Sequence, residues 1–263
     1  MKRALDAGVR RFLGLWSLGV IMVGAIPLLI QVPLAFSNVE FLVFPPPEYG
    51  LEQFRRVIAN ERWAGSAQVS FQVALTASLI ATTVGSAAAL GARGLPGRLR
   101  GALRFVVLTP LIVPGIVVAV AILNAYAGAR LVGNWVALSV AHATLGLPLV
   151  YLLASSGLAR LPPQYWEASA SLGAGPLRTA LQVILPIIAP SILAGGVLAF
   201  ATSWDEVVIA IFVGGSRSMT LPRYMFGYLR TEITPQIAAV SIVLLVISVL
   251  LFLTVTVLRG RRA

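Results

Sequence analysis

Residues 161–186 read LPPQYWEASASLGAGPLRTALQVILP, a polar segment in an apolar chain. The segment lies between two uncharged runs that are each long enough to cross a bilayer. Two prolines open it, and Gly173 and Gly175 stand at its centre. Because proline ends a helix and glycine allows a sharp reversal, the segment is predicted to form a short helix, a turn and a second helix.

The composition around this segment is that of a membrane protein. Of 263 residues, 58% are hydrophobic and 11% are charged, whereas soluble domains carry about 25% charged residues. A spanning helix needs about 20 apolar residues. Six uncharged stretches reach that length, namely residues 12–39, 63–92, 105–129, 131–159, 179–204 and 233–258. The predicted fold is therefore all-α, a single transmembrane domain over residues 1–263 with six spanning helices, of which the first is an uncleaved anchor.

The net charge of +11 is distributed unevenly along the chain. The N-terminus, the loops 93–104 and 160–178 and the C-terminus carry all of the excess positive charge, and the other connections sum to zero. Since short basic loops stay in the cytoplasm, these loops and both termini are predicted to be cytoplasmic. This distribution explains the charge without a nucleic-acid partner.

Residues that could carry catalysis are scarce. The chain has no cysteine and a single histidine, His142, which lies within the fourth apolar run. We expect His142 to be a packing residue that hydrogen-bonds a neighbouring helix. Lys2 is the only lysine, so the chain holds no P-loop and any ATP must be hydrolysed by another chain. Neither a metal site nor a catalytic site is predicted.

The polar segment resembles a known signature. Glu167, Ala168 and Ser169, then Gly173 and the closing residues VILP at 183–186, resemble the EAA signature of permease subunits of ATP-binding-cassette (ABC) importers. Serine stands at position 169 where the family prefers alanine, and valine at 183 where it prefers isoleucine. The resemblance implies the type I ABC importer fold, in which residues 160–184 are a cytoplasmic coupling loop that docks into a separate ATPase.

The resemblance also assigns roles within the loop. Glu167 would face a basic surface of the ATPase, Ala168 and Ser169 would allow close packing, and Gly173 would make the turn. We expect Tyr165, Trp166 and Leu172 to be the apolar anchors of the first short helix. The predicted coupling residues are Tyr165, Trp166, Glu167, Ala168, Ser169 and Gly173. The alternative is an ordinary amphipathic loop at the membrane surface.

Three further elements resemble the spermidine/putrescine branch of this family, and its second permease subunit in particular. They are FPPP at residues 44–47, WDEV at 204–207 and LRTEITP at 229–235. The resemblance implies import of a small polar solute, a polyamine or a related amine. Relatives in that branch also move other small amines and organic anions.

The acidic pair Asp205–Glu206 interrupts the fifth apolar run, which continues over residues 207–213. A continuous helix would place the pair about 30 Å along the span, near its outer end, with the two side chains about 100° apart. We expect the acids to attract a cationic amine, with Trp204 or Tyr224 offering an aromatic face. The alternative is structural, an ion pair with Arg217 or Arg223 or a helix cap.

The resemblance finally implies a set of partners. These are a second permease subunit, two ATPase subunits that bind ATP and Mg²⁺, and an external substrate-binding protein, assembled at a bacterial inner membrane. No cofactor is expected on this chain. An alternative from another class is a secondary transporter driven by an ion gradient, with the acidic pair as its coupling groups. That alternative leaves the glycine-turned cytoplasmic loop unexplained.

Overall fold

The computed structural model describes the backbone of residues 2–231 and 234–260. Glu232 and Ile233 of the LRTEITP element, and Arg261 and Arg262 of the C-terminal basic cluster, lie outside the described residues. The described chain is helical, with a β-bridge between Ser37 and Tyr49 as its only strand-like pairing. The predicted all-α class is confirmed.

The described helices follow one another closely along the chain. They are α1 (Lys2–Ala35), α2 (Glu52–Ala59), α3 (Glu61–Arg93), α4 (Gly97–Ile112), α5 (Gly115–Gly128), α6 (Trp135–Ala159), α7 (Gln164–Ser171), α8 (Pro176–Thr179), α9 (Leu185–Trp204), α10 (Val208–Val213), α11 (Leu221–Thr231) and α12 (Gln236–Gly260). A π-helical turn (Ala180–Ile184) joins α8 to α9, and a 3₁₀ turn (Ser216–Ser218) precedes α11.

Six spanning helices are not confirmed. Among the described residues, four helices are long and apolar enough to cross a membrane: Phe12–Ala35, Glu61–Arg93, Trp135–Ala159 and Pro176–Trp204. A bent pair, α4 with α5, could supply a fifth span. The sixth predicted stretch falls on α12, whose described apolar part, Gln236–Leu250, is shorter than a span.

The third predicted span is wrong as a continuous helix. The chain bends by 107° between α4 and α5, with the break at Val113 and Pro114. Proline has no backbone N–H and disfavours helical dihedral angles in the residue before it. Val113 accordingly takes an extended conformation, with φ −76° and ψ 132°. The apolar run is long enough to span, but this proline divides it.

The described chain separates into two compact units. The smaller unit consists of Met1–Asn60 and Leu229–Val246, and the larger of Glu61–Tyr228 and Ile247–Ala263. In the smaller unit, Phe54 and Val57 of α2 pack against a buried cluster that includes Leu34 and Ala239. Arg56 forms ion pairs with Glu52 and Glu40, which raise its pKa. The single transmembrane domain stays a prediction.

Three long helices, α3, α6 and α9, form the central bundle of the larger unit and pack against one another. Their contacts depend on small residues. A Cβ atom on Gly195 of α9 would lie 2.8 Å from the Cα of Val150, and one on Gly146 of α6 would lie 2.7 Å from the Cβ of Ala199. Such spacing brings helix backbones close together, as in other membrane bundles.

Candidate functional site

The two-helix segment, residues 160–184, lies at the end of the central bundle where α6 stops. α6 ends at Ala159, two prolines follow, and α7 begins with Pro163 as its N-cap. After a turn, α8 continues through the π-helical residues into α9. The predicted order of short helix, turn and second helix is confirmed, whereas the π-helical turn was not predicted.

Gly173 makes the turn. Its φ is +77°, a conformation that residues with a side chain rarely adopt. Its N–H donates to the carbonyl of Ala170 at 2.9 Å, and the N–H of Ala174 donates to that of Ser169 at 3.0 Å, which satisfies the last carbonyl groups of α7. Gly175 is extended, with φ −67° and ψ 161°. The turn therefore requires glycine at position 173, whereas position 175 has a backbone conformation that other residues also adopt.

One face of α7 is open to solvent. Glu167 and Ala168 are exposed, 44% of Tyr165 is exposed, and Leu172, just beyond the helix, is 88% exposed. Ser169 is instead buried, and its hydroxyl donates to the Tyr165 carbonyl at 2.8 Å. Ser169 thus packs within its own chain, so Ala168 is the small residue of the pair that is left on the open surface.

Of the three predicted anchors, Trp166 packs against the central bundle, whereas Tyr165 and Leu172 are exposed, so their assignment as anchors within the chain is wrong. The half-buried Trp166 ring packs against a buried cluster that includes Ala92, Tyr151 and Leu158. The guanidinium carbon of Arg93, the last residue of α3, lies 4.4 Å from the centre of the Trp166 ring. Loops 93–104 and 160–178 therefore lie at the same end of the bundle, as the charge distribution predicts. We call this the loop end.

Sequence reasoning missed Arg93 and Arg100 as individual residues. Arg100 donates from Nε to the carbonyl of Ala92 at 2.9 Å, and from Nη2 to those of Arg93 and Leu95 at 3.1 Å. It thereby satisfies carbonyl groups at the end of α3, where cations are favoured by the helix dipole. The basic run of loop 93–104 was the only signal, and it was interpreted as topology alone.

A groove of about 650 Å³ opens beside Trp166. The residues that line it come from the last turns of α3 and from the start of the second helix. They are Ala87, Leu90, Gly91, Arg93, Gly94, Trp166, Pro176, Leu177, Ala180 and Leu181. Apart from Arg93, these residues are apolar or glycine, so the groove itself is largely apolar.

The acidic pair lies at the opposite end of the bundle, which we call the break end. α9 stops at Trp204 and α10 starts at Val208, so no continuous helix runs through the acidic pair and the separation of about 100° expected for its side chains does not apply. Asp205 is exposed, whereas Glu206 turns inward and caps α10. The Glu206 carboxylate accepts hydrogen bonds from the backbone N–H groups of Val208, Ile209 and Ala210 at 3.0, 3.0 and 3.2 Å.

His142 joins this cap to the bundle. It is 1% exposed, with Nδ1 2.9 Å from the Ser203 hydroxyl and Nε2 3.5 Å from a Glu206 oxygen. One tautomer suits both contacts, with the Ser203 hydroxyl donating to Nδ1 and the Nε2–H directed at the carboxylate. The predicted hydrogen bond to a neighbouring helix is confirmed. The approach of Glu206 was not predicted, because it depends on the break after Trp204.

The two aromatic residues of the predicted substrate path are occupied by packing. Trp204 is buried and stacks on Phe200, with ring centres 5.9 Å apart. Tyr224 meets Trp63 edge-on at 4.6 Å. Arg223 donates to the Gly215 carbonyl at 2.8 Å. Within the described residues no ion pair joins an arginine to either acid of the break end, so of the structural alternatives only the cap, at Glu206, is present.

Among residues 2–231 and 234–260, no group of three or more histidine, aspartate or glutamate side chains is placed to hold a metal ion.

Comparison with known proteins was made by sequence. Residues 81–263 match the family described as binding-protein-dependent transport system inner membrane component. The putrescine transport system permease protein PotI of Escherichia coli (strain K12) is 28% identical over 242 residues, 88% of this chain and 85% of that protein. The spermidine/putrescine transport system permease protein PotC of the same strain is 30% identical over 235 residues, 86% and 85% of the two chains.

Comparison by structure shows the same fold. A bacterial ABC transporter involved in the import of the acidic polysaccharide alginate matches with a TM-score of 0.68 and 13% identity, over 96% of each chain. The MetNI methionine ABC transporter, in inward-facing conformations, matches with a TM-score of 0.64 and 16% identity, over 74% of this chain and 94% of that one.

Proposed function

The chain belongs to the family of binding-protein-dependent transport system inner membrane components, and we propose that its two-helix segment couples a separate ATPase to the import of a small amine. It is a permease of the ABC importer type, and its fold is that of ABC transporter membrane subunits. A secondary transporter driven by an ion gradient is therefore not retained. The proposal concerns which residues couple and what is carried.

The single observation that carries the proposal is the open surface of α7. Glu167, Ala168, Tyr165 and Leu172 are exposed on a segment whose backbone is fixed by the Gly173 turn and by the Trp166 anchor. Exposed apolar side chains on a fixed frame are typical of a docking surface. Glu167 adds a charge that a basic partner surface would select.

In the proposed mechanism, the ATPase acts on the membrane helices through the exposed surface of α7. ATP and Mg²⁺ are bound by two partner ATPase subunits, whose closure displaces α7 and shifts the bundle between inward-open and outward-open states. A second permease subunit completes the path, and an external binding protein delivers the solute. Coupling is then a free-energy difference between two states that nucleotide and loaded binding protein bias in turn.

The proposed orientation has both termini, and the loop end, in the cytoplasm. Cysteines introduced singly at positions 50 and 98 of this cysteine-free chain test it. A membrane-impermeant maleimide added to intact cells should label position 50 and not position 98. The reverse pattern would invert the topology.

Co-purification tests the docking role. The tagged chain extracted in mild detergent should retain an ATPase subunit, and Glu167→Arg should reduce its recovery because like charges then face each other. Glu167→Gln removes the charge without reversing it and should lose less. Full recovery with Glu167→Arg would contradict the docking assignment.

We further propose that the solute is a polyamine or a related amine. The proposal is supported by the similarity to PotI and PotC, whose names give putrescine and spermidine as their solutes. The predicted path was Trp204, Asp205, Glu206 and Tyr224. Of these, Asp205 is the acid whose side chain is exposed, whereas Glu206 is engaged in the α10 cap. We therefore propose Asp205 as the group that meets an ammonium ion.

Uptake of radiolabelled putrescine by the reconstituted complex tests this assignment. Asp205→Asn should lower uptake about tenfold, since a loss of about 1.4 kcal/mol of charge interaction is a tenfold effect. Asp205→Glu keeps the charge and should restore most of it. If Asp205→Asn takes up putrescine at the wild-type rate, Asp205 is not part of the substrate path.

A further inference from the structure

We propose that Arg93 is a positioning residue that ties α7 to the end of α3, so that a displacement of α7 is transmitted to the central bundle. The inference rests on the proposed coupling role of the two-helix segment. It concerns a contact between two loops that are far apart in sequence and meet only in the folded chain.

The contact itself has the geometry of a cation–π interaction. The Arg93 guanidinium carbon lies 4.4 Å from the centre of the Trp166 ring, within the distance of about 6 Å at which the ring quadrupole attracts a cation. Trp166 is half-buried and packs against the apolar cluster, which restricts its ring. Arg93 therefore meets a ring that cannot turn freely.

The backbone of Arg93 is fixed as well. Arg100, one turn into α4, bonds the carbonyls of Ala92, Arg93 and Leu95. These bonds hold the last turn of α3 and the short link to α4, a place where helices otherwise fray. With both the ring and the helix end held, the Arg93 side chain is a short link between two fixed parts.

The link leads directly into the bundle. α3 packs against both α6 and α9, and α9 is continuous in sequence with the second helix of the segment. A displacement of α7 thus reaches α9 through the chain and α3 through Arg93. The apolar contacts around Trp166 are non-directional, whereas the Arg93 contact adds an electrostatic attraction between two particular residues of α3 and α7.

The simpler interpretation is that Arg93 covers the apolar ring with its aliphatic stem while its charge is solvated. The two interpretations separate at one pair of substitutions. Arg93→Met keeps an apolar stem and removes the charge, whereas Arg93→Lys keeps a cation that also attracts the ring. If coverage of the ring by the aliphatic stem is sufficient, Arg93→Met should keep the link between α3 and α7. If the charge makes the link, Arg93→Lys should keep it and Arg93→Met should lose it.

Arg98 offers a matched control. It lies in the same basic loop and is exposed, and no ion pair or hydrogen bond involves its side chain among the described residues. Arg98→Met removes the same charge from the same loop without touching Trp166. Any effect of Arg93→Met that Arg98→Met also produces is an effect of loop charge.

The experiment measures the distance between spin labels at Gly94→Cys and Gln164→Cys, two exposed positions on either side of the link. The assembled complex in nanodiscs is measured with and without ATP and vanadate. The wild type should give one narrow distance distribution in each state. Arg93→Met should broaden this distribution at least about twofold, whereas Arg93→Lys and Arg98→Met should leave it narrow. Trp166→Leu should also broaden it. Adding Arg93→Met to Trp166→Leu should broaden it no further, because the contact is already lost.

The functional arm measures putrescine transported per ATP hydrolysed in the same complexes. Arg93→Met should lower this ratio about fivefold while ATPase recovery stays at the wild-type level. A narrow distribution and an unchanged ratio in Arg93→Met would overturn the link. If the ratio is unchanged while Glu167→Arg still loses the ATPase, only the link fails; if Glu167→Arg also behaves as wild type, the coupling role of the segment fails. If complexes of Arg93→Met do not assemble, the label distances of the single chain decide.

Discussion

The two ends of the central bundle use their polar and apolar groups in opposite ways. At the loop end, Leu172, Tyr165 and Glu167 are exposed on a backbone that is held in place. At the break end, Glu206 is engaged by three backbone N–H groups and approached by His142. The loop end leaves these side chains open to the proposed partner, whereas the break end binds the Glu206 carboxylate within the chain.

The difference shows where substitutions should be felt. Changes at the break end should act on the stability of this chain, because its contacts are internal. Changes at the loop end should act on assembly, because its exposed side chains are proposed to contact another protein. The tightly packed bundle between the two ends should respond to added volume.

The largest expected effect on stability is at the break end. Glu206→Ala removes the cap of α10 and leaves buried N–H groups without a partner, at a cost of about 2–3 kcal/mol. Its neighbour Asp205 is exposed, so Asp205→Asn should change stability by less than about 0.5 kcal/mol. Thermal unfolding of the two variants in one detergent measures the contrast. Equal stabilities would contradict an internally satisfied break end.

A smaller loss is expected in the bundle between the two ends. Gly195→Ala places a methyl group 2.8 Å from the Cα of Val150, and relieving that overlap should cost about 1–2 kcal/mol. Gly101→Ala in α4 meets no atom within 4 Å and should gain up to about 1 kcal/mol from helix propensity. The same unfolding assay compares them, and a stabilising Gly195→Ala would mean that the helices are not closely packed there.

The smallest effect on stability is expected at the loop end. Leu172→Ala should change the unfolding free energy by less than about 0.5 kcal/mol, because the side chain is 88% exposed. It should nevertheless lower recovery of the partner ATPase. Leu158→Ala, at a buried position of the cluster beneath Trp166, is the reverse control and should reduce stability first. A Leu172→Ala chain that unfolds early would place that side chain within the fold.

The sequence predicted the loop end better than the break end, for a physical reason. Proline and glycine restrict the backbone locally, so the order helix, turn, helix in residues 160–184 follows from the residues themselves. The hydrophobic pattern indicates only how long an apolar run is, and it did not reveal that Pro114 divides α4 from α5. The fifth uncharged stretch ends at Trp204, as α9 does, but the hydrophobic pattern did not indicate that Glu206 would cap the next helix.

Contacts between residues that are far apart in sequence could not be predicted, because local sequence patterns do not specify them. Arg93 and Trp166 were each visible, as a topological charge and as an apolar anchor, but nothing in their local sequence pairs them. His142 was predicted to hydrogen-bond a neighbouring helix, and its partner Ser203 became known only from the packing of α6 against α9. The local sequence predicts helices and turns, whereas the packing of the helices determines which side chains meet.

Docking of the ATPase onto a segment shaped by Gly173 is the central claim, and one substitution pair tests it most directly. The φ of +77° penalises valine strongly and asparagine little, while a Cβ at this position meets no atom within 4 Å. The affinity of the purified ATPase for the chain in nanodiscs should fall about tenfold or more for Gly173→Val. For Gly173→Asn it should stay within about threefold of the wild type. Wild-type affinity for Gly173→Val, with both variants folded, would contradict the account.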